Sequence, residues 1–284
     1  MKEMEYNKLR IELGALATGM FYNAQEERIQ AFNRIRQVIF RHVEGLDLTQ
    51  KQDKKEEEKD YEKKYTDKQL IELIRNEKEK LSTEEQEYIE KLMTLLEHAM
   101  KRESEHKALM KQYIELEPIY EKWLKGVKGI STLNTANLLQ YFGYCEKAKH
   151  ASSLWKYAGL HVVNGKAPKL GMYGKGKEVE TGLDYNPKLR TLMYRIGDCF
   201  IKTRSPKYRD IYDREKEKQL LMGGWDAVKK VMNNKDVEGM PQSLGHADNR
   251  ARRKMVKHFL VDYYERCLLL RGIQPDKCYA HRND

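Results

Sequence analysis

From Tyr88, alternating steps of four and three residues land on Leu92, Leu95, Ala99, Arg102, His106, Leu109, Tyr113 and Leu116. That is a heptad seam of about four repeats with a polar break at Arg102 and His106. Such a period fits a long helix and excludes a strand, whose apolar positions recur every second residue. Ser82 with Glu85 three residues later forms a capping box that opens the helix, and Pro118 ends it. Two partners fit the seam equally well. One is a second copy in a dimeric coiled coil, and the other is an intramolecular hairpin with Leu70, Leu73, Ile74 and Leu81. Polar seam residues fix register or partner number, so Arg102 and His106 need no chemical role.

Other N-terminal segments are helical too. Leu9, Leu13, Leu16 and Met20 recur at helical spacing, as do Ile29, Phe32, Ile35, Ile39 and Val43, with Gly45 as a stop. The expectation is two antiparallel helices joined near residues 22–25, forming an N-terminal hairpin over residues 1–48. Residues 49–117 then hold a Lys/Glu-rich linker and the coiled-coil arm. No set of Val/Ile-rich strands resembling a nuclease core occurs in residues 1–124, and no acidic residue lies on a strand-like run.

Composition agrees with slim helical cores. Charged residues make up 35% of the chain, against a typical ~25%. The most apolar early stretch, Leu13 to Gln25, falls short of the ~20 residues needed to span a bilayer. It is preceded by Glu3, Glu5 and Glu12 instead of the basic residues of a signal peptide. Four scattered cysteines (Cys145, Cys199, Cys267 and Cys278) are unlike a disulfide framework. The expected setting is cytoplasmic and nucleoid-associated, with no membrane partner.

Charge is divided unevenly. Residues 1–124 hold 23 basic and 27 acidic side chains, whereas residues 125–284 hold 31 basic and 17 acidic. The C-terminal half therefore carries a net +14, which points to a polyanion partner.

That half opens with Lys125-Gly126-Val127-Lys128-Gly129-Ile130-Ser131, followed by Ala136, Leu138, Leu139 and Phe142. A glycine-containing turn before a helix is close to a helix-hairpin-helix motif, in which backbone amides and the helix N-terminus approach a phosphate. Ser131 stands where a second glycine is usual. Next come Gly143-Tyr144-Cys145-Glu146-Lys147-Ala148, the segment Tyr157-Ala158-Gly159-Leu160, a basic glycine-rich loop, Asn186-Pro187-Lys188-Leu189-Arg190, and Asn249-Arg250-Ala251-Arg252-Arg253-Lys254. In order and spacing, residues 124–270 resemble the C-terminal domain of the DEDD, RNA-guided insertion-sequence transposase family (the one-ten/one-sixteen/nine-oh-two group).

The resemblance implies a mainly α fold, with a transposase-like helix-hairpin-helix DNA-binding domain over residues 118–284. It also marks two departures. The family carries an RNase H-like domain whose four acidic residues hold metal, and this chain has a helical module in its place. The family's nucleophilic serine follows the Tyr-Ala-Gly-Leu segment, and here no serine occurs between Leu154 and Arg204. Thr181 is the only aliphatic hydroxyl of that loop.

Residue chemistry suggests where a polyanion would lie. In the loop, Lys166, Lys169, Lys175 and Lys177 alternate with glycines around Tyr173, a pattern that tracks phosphates and stacks bases. On the last helix, expected over residues 248–264 with Asp248 or Asn249 as N-cap, Arg250, Arg253, Lys254 and Lys257 fall near one face. Met255, Phe259 and Tyr263 fall on the other. With Lys125, Gly126, Lys128, Gly129, Ser131, Lys188 and Arg190, these are the candidate nucleic-acid-binding residues. Tyr208, Arg209, Tyr212 and Arg214 read as packing.

The expected function is non-catalytic DNA binding, largely independent of sequence or dependent on DNA structure, branched DNA included, by a homodimer joined through the arm. No cofactor is expected and no metal site. The pair Cys278 and His281, with His246, His258 and Cys267 nearby, lacks the paired four-ligand spacing of zinc. One alternative is an active transposase or recombinase subunit, in which Mg²⁺ would be held by Asp184, Asp198, Asp210 and Asp213. Others are a protein binding structured RNA and a coiled-coil scaffold.

Overall fold

The computed structural model describes residues 8–43, 66–77, 80–162, 168, 184–223 and 244–275. Among them the protein is helical, without strands, as the mainly α expectation requires. The elements are α1 (Lys8–Val43), α2 (Asp67–Glu77), α3 (Thr83–Ile114), α4 (Pro118–Lys122), a 3₁₀ turn (Leu124–Gly126), α5 (Thr132–Phe142), α6 (Ala151–Tyr157), α7 (Pro187–Thr203), α8 (Pro206–Gly223) and α9 (Leu244–Leu270). No helix among the described residues is long and apolar enough to cross a membrane. Most of the Lys/Glu run and the basic loop, including Lys166, Lys169, Lys175 and Lys177, lies outside the described residues.

The chain forms two compact units, Leu16–Leu109 and Met1–Ala15 with Met110–Asp284. This division differs from the expected boundaries at residues 48 and 117, because α1 and α3 each contribute to both units.

The expected hairpin over residues 1–48 is one continuous helix, α1. The physical reason lies at the supposed join, Tyr22-Asn23-Ala24-Gln25, which holds neither glycine nor proline. Buried Ala17, Phe21, Ala24, Ala31, Phe32, Ile35 and Ile39 continue a single stripe straight through it. In the first unit that stripe meets Leu70 and Ile74 of α2, then Leu81, then Ile89, Leu92 and Leu96 of α3, with Leu73 packed alongside. Two ion pairs tie α1 to α3: Arg28 to Glu103 at 2.7 Å, and Arg102 to Glu27. The heptad seam thus divides. Leu92 and Ala99 turn inward, as the intramolecular reading requires. Tyr88 (47% exposed), Leu95 (54%) and Leu109 (37%) stay outside at multiples of seven residues. The capping box forms as expected, with Ser82 N donating to Glu85 Oε2 at 2.9 Å and Glu85 N to Ser82 Oγ at 3.2 Å.

The second unit is built around α9. Phe259 of that helix stacks on Trp123 (5.8 Å between ring centroids) and meets Phe200 and Tyr208 edge-on at 5.2 and 5.5 Å. One turn later, the Tyr263 hydroxyl donates to the Gly143 carbonyl at 2.8 Å. Near α4, buried Glu117 accepts from the Tyr144 hydroxyl at 3.0 Å and lies 3.6 Å from Arg10. Burial pushes its carboxyl above the ordinary value, and the hydroxyl and Arg10 oppose that shift only in part. Phe259 touches rings from three other parts of the chain. Phe259→Ala is therefore expected to destabilise the protein by about 3–5 kcal/mol in urea unfolding.

Candidate nucleic-acid interface

The turn before α5 is built by backbone constraints. Gly129 adopts φ +100°, and a Cβ there would stand 2.9 Å from Thr203 Oγ1 and 3.3 Å from the Cys199 carbonyl carbon. This glycine lets the turn pack on α7. Gly126 differs, since a Cβ on it would meet nothing within 4 Å. Ser131, in the position where the motif usually has glycine, is the N-cap of α5, its Oγ accepting from Asn134 N at 3.2 Å. Of the expected pair, Gly129 thus serves packing, whereas Gly126 is exposed with its N–H donating to the Trp123 carbonyl at 3.0 Å. Lys125 and Lys128 beside it are exposed.

A second glycine constraint shapes the corner between α6 and α7. Gly159 of the Tyr-Ala-Gly-Leu segment has φ +66°, and a Cβ there would collide with the Tyr185 ring at 2.6 Å. Asn186 caps α7, accepting from Leu189 N at 3.1 Å, and its own N donates to the Tyr157 carbonyl at 2.9 Å. Arg190 is fixed in this corner. Its Nη1 donates to the Pro168 carbonyl at 2.5 Å and to the Tyr185 hydroxyl at 3.2 Å, and its guanidinium lies 5.2 Å from the Tyr185 ring centre.

Arg190 belongs to a group of cations held close together. Burial, with Arg190 and Arg250 nearby, holds Arg253 below the ordinary arginine value. Burial, with Arg253 nearby, does the same to Lys257. Lys257 Nζ sits 5.0 Å from the centre of the Trp155 ring, whose Nε1 donates to the Lys257 carbonyl at 3.1 Å. Among the described residues, neither Arg253 nor Lys257 has a carboxylate partner. Arg253 thus stands among like charges from α7 and α9, and Lys257 over an indole ring, with no carboxylate beside either among the described residues.

Two other cations of α9, Arg252 and Lys254, meet carboxylates. Lys254, expected in this group, instead pairs with Glu215 of α8 at 3.1 Å. Residues 253 and 254 are separated by about 100° around a helix, so one faces α7 and the other α8. Arg250 donates to Gln219 at 3.0 Å. Arg252 reaches Asp198 and Asp248 at 3.4 and 3.3 Å and lies over the Tyr194 ring. Lys188, in the first turn of α7, is exposed. Asp248 is not the expected N-cap, because α9 already runs from Leu244. Instead it accepts from Tyr212 and lies 3.2 Å from Lys216.

The aspartates proposed for a metal do not gather. Asp184 meets His161 at 2.9 Å, Asp198 meets Lys202 at 2.7 Å, Asp210 meets Arg214 at 3.0 Å and Asp213 meets Arg209 at 2.7 Å. No group of three or more His, Cys, Asp or Glu placed to hold a metal occurs among the described residues. Cys278 and His281 lie outside them. The arrangement of described side chains suits anion binding through charge and stacking. No protein-family model, curated protein or solved structure matches the chain.

Burial raises the Asp248 carboxyl, but the Tyr212 hydroxyl, Lys216 and Arg252 together outweigh it, leaving the group below its ordinary value of 3.8. The stability it contributes is complete above that value and is lost as pH falls through the lower folded one. Asp248→Asn is therefore expected to lower the urea midpoint at neutral pH. The gap to the unaltered protein should close as pH is taken from about 5 to about 2.

Proposed function

We propose that this protein binds DNA by its phosphate backbone, with DNA shape selecting the site ahead of base sequence. In this reading it is a relative of mobile-element transposases that performs no strand chemistry itself. The observation that carries it is the half-buried pair Arg253 and Lys257 on α9, without a carboxylate partner among the described residues, with Lys257 over the Trp155 ring at 5.0 Å and Arg190 and Arg250 near Arg253. Crowding cations is unfavourable in the free protein, and an anion relieves it. Phosphate oxygens supply that anion, and the charge-assisted bonds they accept are among the strong ones. The exposed Lys125, Lys128 and Lys188 extend the positive surface.

This reading makes binding and stability move in opposite directions. Arg253→Gln removes one crowded charge, so the folded protein should be as stable as the unaltered one or slightly more so. Its DNA affinity should fall, and the slope of log K against log salt should flatten by about one. Fluorescence anisotropy across a salt series, with urea unfolding alongside, checks both. Unchanged affinity and slope would refute the proposal, and tighter binding to structured RNA in competition would redirect it.

We further propose that two copies associate through the arm. Tyr88, Leu95 and Leu109 stay exposed along α3 on a seven-residue repeat, interrupted by Arg102. A dimer that buries this stripe carries two cation groups, which suits bent or branched DNA. Leu95→Glu with Leu109→Glu is expected to shift the mass in analytical ultracentrifugation from dimer to monomer without unfolding the chain.

A further inference from the structure

Beside the turn that precedes α5, a cleft of about 740 Å³ opens in the second unit, lined by Trp123, Gly126, Lys128, Asp262, Arg266 and Leu269 among others. We infer that it receives a single unpaired nucleotide of bound DNA, base inward and phosphate at the rim. The inference rests on the DNA-binding reading above and adds the part of the ligand that enters the protein.

The chemistry of the walls selects this occupant. Trp123, stacked on Phe259 and so held rigidly, lines the cleft together with the apolar Leu269 and Pro206. A flat aromatic between aliphatic surfaces suits a base, because every base has a π-face. Lys128 and Arg266 are exposed at the cleft, and among the described residues neither has an ion-pair partner. Together they can hold one phosphate. Asp262 and Glu265 also line the space, and Asp262 is fixed by Lys207 at 2.7 Å and by the Tyr208 hydroxyl at 2.7 Å. With Lys207, the lining cations outnumber these two carboxylates by one, which suits a single phosphate better than a run of them.

Gly126 completes the fit. Space is open where its side chain would be, so the turn backbone stays accessible from the cleft. The φ of Gly126 lies outside the positive region that would require glycine. A larger residue is therefore accommodated without backbone strain, and it fills the mouth of the cleft.

The experiment uses the full chain and three duplexes of one sequence: fully paired, with one extra unpaired 2-aminopurine nucleotide, and with an abasic residue at that point. The expected result is tighter binding to the duplex with the unpaired base, by about tenfold over the other two, with quenching of 2-aminopurine fluorescence. Gly126→Leu should abolish both the preference and the quenching. Lys128→Ala with Arg266→Ala should weaken the preference. Equal binding of all three duplexes would overturn this inference and leave the backbone-binding reading standing, as would preference and quenching that survive Gly126→Leu. Failure to bind any of the duplexes would overturn both.

Discussion

The last helix has to satisfy two environments at once, and the second unit depends on how it does so. Phe259 and Tyr263 lock α9 against Trp123, Phe200, Tyr208 and the Gly143 carbonyl. Once those rings are seated, the rotation of the helix is fixed, and the positions of Arg253 and Lys257 follow. Aromatic burial therefore supplies the free energy that holds like charges close together. A surface helix with the same cations and no ring anchor would rotate or fray to separate them.

The second unit also sorts its positive charge. Lys202, Lys207, Arg209, Lys216, Arg252 and Lys254 each lie against a carboxylate. Arg253 and Lys257 have none among the described residues. The excess of basic residues in the C-terminal half is thus not a uniform coat. Six of these cations are paired within α7, α8 and α9, whereas Arg253 and Lys257 beside Trp155 are not. Exposed ion pairs contribute little to stability, and their effect here is to make the positive surface uneven.

Much of this was legible in the sequence, and the misses have physical causes. Helical period, the Ser82 capping box and the buried face of Met255, Phe259 and Tyr263 depend on residues close together in the chain, and all are found. The heptad count did not show which seam positions point inward. The core of α3 follows a helical stripe of Leu92, Leu96 and Ala99, selected by α1 and α2. The hairpin expected before residue 48 failed because two runs of equal period were divided where no residue breaks a helix. The sequence does not separate Lys254 from Arg253, because its partner Glu215 stands 39 positions away. Gly129 looked like a phosphate-binding glycine, and only the closeness of Thr203 shows that packing demands it.

The most direct test of the central claim is the pKa of Lys257, measured by NMR on the ε-carbon of a labelled lysine in free protein and with saturating duplex DNA. Free, the group should titrate below an ordinary lysine. A phosphate against it should favour the charged form, so the value should rise on binding. A value that stays depressed at saturation would show that DNA, if bound, lies elsewhere, and would contradict the account.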